Sequence, residues 1–278
     1  MSIKTILTII GTENGDDDLT LAMKLCEDEG VHLSVLIVEI APAPPVGEFA
    51  AMVSDGWIQD RQAGQKRLDD RSAAVTARLA GTSISADVSS AYPELAWADE
   101  VVGRRARYAD LTIAAAGLLG DEVLGARVIE GAMFSSGQPV MVVPAGAKPT
   151  ISPRRVLLAW DAGIEASRAM HAAVDLLAGA DAVHLTLIDP VEGEDGHGAE
   201  PGADAATYLA RRGAKVSVDR LPSGGKPIAA VLRQHAVDVA ADLIVMGAYG
   251  HSRLRQRMFG GTTKSMLDEA TVPVLFAR

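Results

Sequence analysis

Three glycines near the carboxyl end of the chain have a spacing that suits phosphate binding. Gly247 and Gly250 are separated by two residues, and Gly260 follows after nine more. The apolar run 241–246 before them is typical of a buried parallel strand, and the segment 262–270 has a helical pattern. Glycines allow close approach to main-chain amides, and amides at a helix N-terminus attract anions. These residues therefore predict a phosphate site where a strand leads into a helix, and the glycine spacing alone is equally typical of a strand-to-helix loop that needs glycines for its turns.

Other candidates for this site lie beside the glycines. The strand end and the turn contribute Met246 and Tyr249, and the start of the helix contributes Gly261, Thr262 and Thr263. Main-chain N–H groups, together with the hydroxyl of Thr262 or Thr263, are suitable donors to a phosphate.

Four cations flank the motif and are candidates for contact with a triphosphate: Arg253, Arg255, Arg257 and Lys264. The same residues are also typical of a solvated loop and helix end, and the sequence leaves both interpretations open. His251 lies within the motif and is a candidate phosphate contact rather than a base.

Alternating strand and helix patterns surround this motif and occur twice. The run Ala109-Asp110-Leu111 is repeated 132 residues later as Ala241-Asp242-Leu243, and Pro139-Val140 is repeated as Pro273-Val274. Such alternation predicts right-handed βαβ crossovers and parallel sheets covered on both faces. We predict an α/β protein with two tandem flavodoxin-like or Rossmann-like domains, 1–148 and 149–278, each a five-stranded parallel sheet. Ligands in such sheets bind at the carboxyl ends of the strands.

Composition and charge narrow the possible partners. The first 150 residues carry 12 Lys and Arg against 21 Asp and Glu, an acidic balance that disfavours nucleic acid. No apolar run approaches the length of a membrane helix, and no signal peptide pattern opens the chain. Cys26 is the only cysteine, so it has no intramolecular disulfide partner, and its apolar neighbours predict a core residue. We expect a cytoplasmic location.

The string Asp242-Leu243-Ile244-Val245-Met246-Gly247-Ala248-Tyr249-Gly250-His251-Ser252 and the glycine spacing resemble the universal stress protein family, UspA-like, in a tandem two-domain form. This resemblance implies an adenine nucleotide alpha hydrolase-like fold and binding of ATP, with Mg²⁺ on the phosphates. It also implies that Asp161 contacts the nucleoside and that the backbone of Leu187 meets the adenine. Gly261 stands where ATP-binding relatives have Ser or Thr, which is a departure from the pattern.

The first half has lost most of these features. Gly11 stands where Asp161 stands in the second half, and the glycine series Gly117, Gly120 and Gly131 is spaced differently, with Glu130 before its last member. A carboxylate near a phosphate pocket disfavours an anion. We predict that the first domain is degenerate and has no working nucleotide site.

Other chemistry has weaker support. A cation site is an alternative interpretation of Asp16 to Asp18, which also suit a helix start, and of Glu194, Asp195 and His197. Ser223 to Pro227 resembles part of a P-loop but lacks its leading glycine and its Ser or Thr, so we interpret it as a turn. We interpret His171 and His184 as single packed or surface residues, and we find no nucleophile elbow or triad motif.

Two functions remain open. The first is a nucleotide-responsive stress protein that binds an adenine nucleotide in its second domain, with at most weak ATP hydrolysis because we can name no general base. The second is an interaction module with both sites vestigial, which acts through pairing of its domains or a homodimer. The resemblance implies that the edge strands 272–276 are the pairing surface. Asp161 itself has two interpretations, a nucleoside contact or an N-cap for the helix near Ile164.

Overall fold

The computed structural model describes residues 3–45, 55–193, 199–249 and 261–278. The chain divides into two compact units, and the division falls between Gln138 and Pro139. Each unit alternates strands and helices, as the sequence predicts.

In its described residues, 3–45 and 55–138, the first unit has four strands in one parallel sheet, with helices following the strands. The strands are β1 (Thr5–Gly11), β2 (His32–Val38), β3 (Ala86–Ala91) and β4 (Leu111–Ala115). The helices are α1 (Asp16–Glu29), α2 (Asp55–Ala80), α3 (Ala98–Ala106), α4 (Ala116–Leu119) and α5 (Leu124–Ser135), with a short 3₁₀ turn at Leu95–Trp97 before α3.

The second unit begins with a strand from the end of the first repeat and then follows the same pattern. Its strands are β5 (Val140–Val143), β6 (Arg155–Ala159), β7 (Ala182–Ile188), β8 (Val216–Leu221), β9 (Leu243–Gly247) and β10 (Val274–Ala277). Its helices are α6 (Ile164–Ala172), α7 (Val174–Gly179), α8 (Ala203–Ala210), α9 (Ile228–Asp238) and α10 (Gly261–Glu269).

The strand order is the Rossmann-like one in both units. The order is β3-β2-β1-β4 in the first unit and β10-β9-β6-β7-β8 in the second, with parallel pairing throughout. The second unit thus contains the predicted five parallel strands. The order reverses between β1 and β4, and between β6 and β9, and ligands of such sheets bind at this switch point. Aliphatic side chains fill the core, as the low aromatic content predicts.

Strand β5 pairs with β10 in antiparallel register, with Met141 opposite Leu275. The predicted pairing surface at 272–276 is therefore used within the chain. This pairing places Val140–Val143 in the second compact unit, although the sequence repeat assigns these residues to the first copy. The domain boundary between 148 and 149 rests on that repeat and remains a proposal.

The repeated Ala-Asp-Leu sequence has a structural cause. Asp110 Oδ2 accepts hydrogen bonds from the amides of Lys4 (2.8 Å) and Thr5 (3.0 Å). In the second unit, Asp242 Oδ2 accepts from Arg154 (2.9 Å) and Oδ1 from Arg155 (3.1 Å). Each aspartate satisfies the first amides of its central strand, so both are structural residues that fix where the sheet begins.

Two helix predictions differ from the structure. The residue pattern of 164–177 predicts one helix, but the segment forms α6 and α7 with a break at Ala173, whose φ of −96° and ψ of 7° leave the helical region. The pattern of 94–108 predicts another helix, but the segment forms only a 3₁₀ turn and the nine residues of α3. The pattern from Trp57 to Leu79 predicts a long polar-faced helix with Ile58, Leu68, Val75 and Leu79 as its apolar contacts. Helix α2 confirms the helix and buries the last three, but Ile58 is 39% exposed.

Candidate functional site

Gly247 ends strand β9 at the switch point of the second sheet, and helix α6 packs directly against it. A Cβ placed on Gly247 would lie 2.5 Å from the carbonyl carbon of Glu165 and 2.6 Å from the amide nitrogen of Ala166. Side chains of any size would collide with backbone there. Close helix packing therefore requires glycine at this position, whether or not a ligand binds beside it.

Asp161 follows strand β6 and lies at the same switch point. We call this region, at the carboxyl ends of the strands, the corner of the unit. Its Oδ1 accepts a hydrogen bond from the Gly163 amide at 2.9 Å, an Asx turn that leads the chain into α6. The N-cap of α6 is Gly163, which makes no side-chain capping bond. The N-cap interpretation of Asp161 is therefore wrong in detail, because its carboxylate binds one residue before the helix. The side chain is exposed, so its carboxylate is accessible to a ligand.

Leu187 and Met246 are part of the hydrophobic core. Leu187 is 1% exposed and pairs with Arg220 in the ladder between β7 and β8, and Met246 is 5% exposed and pairs with Phe276. The side chain of Leu187 also packs against Gly202, which has a φ of 88°. Both side chains form the floor of the corner, and only main-chain groups at the strand ends are placed to meet a ligand.

Tyr249 and Thr263 are connected by a hydrogen bond across the loop that separates them. The Tyr249 amide donates to Thr263 Oγ1 at 3.4 Å, and the Thr263 side chain is buried. Tyr249 has a φ of 59°, in the left-handed region that non-glycine residues seldom adopt. This hydrogen bond connects the chain after strand β9 to helix α10. The Thr263 hydroxyl oxygen therefore already accepts one hydrogen bond from the protein.

Gly261 and Thr262 begin helix α10. Gly261 is exposed, and a Cβ placed there would have no atom within 4 Å. Thr262 is half-buried. The structure thus brings Asp161, Gly247, Tyr249 and the start of α10 to one end of the sheet. Several predicted residues lie outside the described ranges: Gly250, Gly260, His251, Arg253, Arg255 and Arg257. Lys264 is described and forms an ion pair with Asp268, 2.8 Å away within α10.

The corresponding corner of the first unit is occupied by a carboxylate of the chain itself. Asp18, on helix α1, is 4% exposed. Its Oδ1 accepts from the Gly117 amide at 3.0 Å, and its Oδ2 accepts from the Leu118 amide at 2.7 Å. Gly117 and Leu118 belong to the first turn of α4, directly after strand β4. Asp18 therefore satisfies the main-chain donors that would face a phosphate in a binding domain.

A cavity of about 300 Å³ opens beside Asp18, and its chemistry is acidic. Glu13, Glu39 and Asp121 line it together with Asp18, and Gly11 lies at its floor. Asp121 Oδ1 accepts from the amides of Val123 (3.0 Å) and Leu124 (2.9 Å), so the start of α5 is also capped by the chain. Four carboxylates around one cavity repel an anion. Both the charge and the hydrogen bonding support the prediction of a degenerate first domain.

Two of the three adjacent aspartates, Asp16 and Asp18, bind other groups of the chain. Asp16 forms ion pairs with Arg71 (2.9 Å) and Arg78 (3.6 Å) of helix α2. Asp18 caps α4 rather than its own helix, and the N-cap of α1 is Gly15, without a side-chain bond. These contacts account for Asp16 and Asp18 without a cation. Glu130 pairs with Arg127 at 2.9 Å.

Cys26 is buried in helix α1, which confirms its predicted core position. Burial raises the pKa of its thiol to about 12. A thiol with this pKa carries almost no thiolate at neutral pH and is a poor nucleophile.

His184 is not a single residue, as the sequence suggested, but part of a polar cluster. Its Nδ1 lies 2.9 Å from Asp219 Oδ2 and 3.2 Å from Ser217 Oγ, and His235 Nε2 lies 2.8 Å from the same Asp219 oxygen. The group joins β7, β8 and α9. The alternation of Ser217 and Asp219 along β8 places both on one face, but the sequence contained no signal that His235 would join them.

Within the described residues, no helix combines the length and hydropathy that a membrane crossing needs.

Comparison with known proteins identifies the class to which this geometry belongs. The model of the "Universal stress protein family" matches residues 153–278. The universal stress protein Slr1230 of Synechocystis is 39% identical over 74 residues, which cover 27% of this chain and 25% of that relative. The match thus spans about a quarter of the relative's length. The second half of the chain is a universal stress protein domain, and the predicted UspA-like resemblance is confirmed.

Solved structures extend the fold to nearly the whole chain. A universal stress protein from Archaeoglobus fulgidus superimposes with a TM-score of 0.67, covering 98% of this chain and 96% of its own, at 17% identity. A functionally unknown protein from Pseudomonas aeruginosa PAO1 gives a TM-score of 0.57, covering 99% and 92%, also at 17% identity. At this identity the likeness establishes the Rossmann-like α/β fold.

Proposed function

We propose that the second domain binds an adenine nucleotide, with ATP and Mg²⁺ as the expected ligands, and that the first domain is a structural copy. The protein then acts in stress response as a nucleotide-responsive binding protein. This proposal combines the family of the second half with the difference between the two switch points.

The observation that supports it most strongly is the position of Asp18. In the first unit the amides after the fourth strand are bound by this buried carboxylate. In the second unit the three atoms nearest a Cβ on Gly247 are all in Glu165 and Ala166, two of them backbone and the third the Glu165 Cβ. The described amides after β9 donate instead to neutral acceptors: Ala248 to the Ala277 carbonyl at 3.0 Å and Tyr249 to Thr263 Oγ1 at 3.4 Å. Unlike Asp18, these acceptors carry no negative charge and do not repel an anion.

Each candidate residue has a role in this proposal. Asp161 accepts hydrogen bonds from ribose hydroxyls, because its exposed carboxylate is an acceptor only. The amides of Gly261 and Thr262 donate to the phosphates, and the positive end of the α10 dipole favours their charge. Main-chain groups near Leu187 and Met246 border the adenine. Mg²⁺ bound to the phosphates would neutralise part of their charge.

Gly250, Gly260 and the cations of residues 253–257 complete the proposed site from outside the described ranges. The strained φ of Tyr249 is consistent with a loop whose shape is set by function. We propose at most slow hydrolysis, because the sequence motif supplies no general base. The response of the protein then depends on binding and release of the nucleotide rather than on its hydrolysis.

An interaction module remains the second candidate function. The Thr263 hydroxyl already accepts from Tyr249, and Gly247 is required by packing, so these two residues need no ligand to explain them. The antiparallel pairing of β5 with β10 is a pairing mode that edge strands offer to a second chain. In this alternative both nucleotide sites are vestigial and a partner protein is the ligand.

Isothermal titration of the full chain with ATP and Mg²⁺ separates the two functions. We expect binding of one nucleotide, and we expect Gly250→Asp and Gly260→Asp each to abolish it by placing a carboxylate beside phosphate. Gly120→Asp is the matched control, because it adds the same charge to the loop of the first unit and should leave affinity unchanged. If affinity survives both changes in the second half, the site has been misplaced.

A further inference from the structure

The cluster of His184, Asp219 and His235 contains the donor atoms of a metal site. One atom from each residue, His184 Nδ1, Asp219 Oδ2 and His235 Nε2, lies within 4.8 Å of the others. Two imidazole nitrogens and one carboxylate oxygen are a ligand set that zinc sites use, with the fourth position left to water. The cluster lies on strands β7 and β8 and helix α9, separate from the residues proposed to bind nucleotide.

We propose that His184, Asp219 and His235 bind a divalent transition-metal cation, with Zn²⁺ as the expected ion. The nitrogens lie 2.9 Å and 2.8 Å from the shared oxygen. Tetrahedral zinc with bonds of about 2.1 Å separates its ligand atoms by about 3.4 Å. The two contacts to Asp219 must lengthen by about half an ångström each. The two ring nitrogens already lie within 4.8 Å of each other, so adjustment of the two rings completes the coordination geometry.

The protonation of the cluster is compatible with this exchange. Without the ion, Asp219 Oδ2 is the shared hydrogen-bond acceptor of His184 Nδ1 and His235 Nε2. The ion replaces the protons that bridge the imidazoles to Asp219, and each neutral ring carries its proton on its other nitrogen. Ser217 Oγ, 3.2 Å from His184 Nδ1, is placed to bind a water molecule on the ion.

Access to the cluster is sufficient for an ion to enter. The side chains of His184 and Asp219 are each 22% exposed, and that of His235 is 14% exposed. The three residues come from two strands and a helix of the same unit, so the backbone holds them near one another before binding. A partly assembled site of this kind reduces the ordering that binding requires.

The first unit contains an analogous cluster that cannot bind a metal in the same way. His32 Nε2 lies 2.9 Å from Asp87 Oδ1, and Ser85 Oγ lies 2.8 Å from His32 Nδ1. The third partner, from helix α3, is Arg105, which donates to Asp87 and also to Ser34 at 2.7 Å. Arginine stays protonated and has no lone pair for a metal. The helix after the third strand thus provides a permanent cation in one unit and a metal ligand in the other.

The test compares zinc binding by the full chain and by a variant that copies the first unit. His235→Arg keeps a donor to Asp219 but removes a ligand. After chelation and dialysis, titration with Zn²⁺ and elemental analysis should show about one more tightly bound zinc per chain in the unmodified protein than in this variant. We expect the affinity at this site to fall about 100-fold or more.

Controls separate metal loss from structural damage. His32→Gln alters the analogous cluster and should leave zinc content unchanged. His184→Gln should lose the same zinc as His235→Arg, and circular dichroism establishes that each variant is folded. Co²⁺ provides an independent signal, because its visible absorption should indicate tetrahedral nitrogen and oxygen ligands in the unmodified protein only. Equal zinc stoichiometry and affinity in the unmodified protein and both folded variants would overturn the proposal and leave the cluster as a structural hydrogen-bond group.

Discussion

The two halves of this chain use the same corner of the same fold in different ways. In the first half the main-chain donors after the fourth strand bind the buried carboxylate of Asp18, and the cavity beside them is acidic. In the second half helix α6 packs on Gly247 with its backbone, and Asp161 lies exposed beside it. A buried amide needs an acceptor. Both halves give the described amides after the fourth strand an acceptor from the chain itself, but it is a carboxylate in the first half and a carbonyl or hydroxyl oxygen in the second.

The largest expected effect comes from removing that acceptor. Asp18→Ala leaves the amides of Gly117 and Leu118 without a partner, and we expect a loss of about 2–5 kcal/mol in the free energy of unfolding. Asp17→Ala is the control, because Asp17 is exposed on the same turn and should change stability by less than about 0.5 kcal/mol. Urea unfolding measures both. A similar small effect for the two variants would show that Asp18 does not anchor the first corner.

The comparable substitution in the second half is Gly247→Ala, which acts through steric overlap rather than through a lost hydrogen bond. Gly247→Ala places a Cβ 2.5 Å from the Glu165 carbonyl carbon, so we expect a loss of about 1–3 kcal/mol from overpacking. Gly179→Ala, at the end of α7, meets no atom within 4 Å and should be neutral or slightly stabilising. Thermal unfolding compares the two. If Gly247→Ala is as harmless as Gly179→Ala, helix α6 does not pack on the strand end as described.

Asp110 and Asp242, which accept from the first amides of the two central strands, allow a comparison with a smaller expected effect. Asp242 uses both carboxylate oxygens, one for each amide, whereas Asp110 uses Oδ2 for both. An asparagine keeps one acceptor oxygen, so Asp110→Asn can retain both bonds and Asp242→Asn cannot. We expect Asp242→Asn to cost about 1 kcal/mol more than Asp110→Asn. Equal costs in parallel denaturant titrations would contradict the difference in geometry.

The smallest effect concerns Cys26 and depends on pH. Burial raises its pKa in the folded protein to about 12, so the folded state retains its proton where the unfolded state releases it. Its contribution to stability is full below the unfolded pKa of about 8.5 and declines as pH rises toward 12. We expect slow labelling of the native thiol by a disulfide reagent at pH 8 and rapid labelling in denaturant. Fast labelling of the native protein would contradict the buried position.

Hydrophobic periodicity predicted most of the strands and helices, because the local residue pattern matches the secondary structure that each segment adopts. The strands at Thr5–Gly11 and Ala182–Ile188 are β-branched apolar runs, and their existence and order follow from that pattern. The division of 164–177 into two helices did not follow, because the residues around Ala173 carry no helix-breaking signal. The family resemblance implied a pairing surface at 272–276, but no local feature identified β5 as its partner.

The contacts that distinguish the two corners were beyond a local analysis of the sequence. Asp18 lies 99 residues from Gly117, and its sequence context suggested only the start of its own helix. His235 lies 51 residues from His184, and the two meet because their strand and helix pack on the same face. Repeats and glycine spacing predicted where a site belongs in the fold. Which donors the chain itself occupies is determined by tertiary packing.

Native mass spectrometry with ATP and Mg²⁺ tests the central claim most directly, because it counts nucleotides on each chain. We predict one bound nucleotide per chain, retained in Gly120→Asp and absent in Gly250→Asp. Two nucleotides per chain, or none at millimolar ATP, would contradict the claim that the second corner alone binds nucleotide.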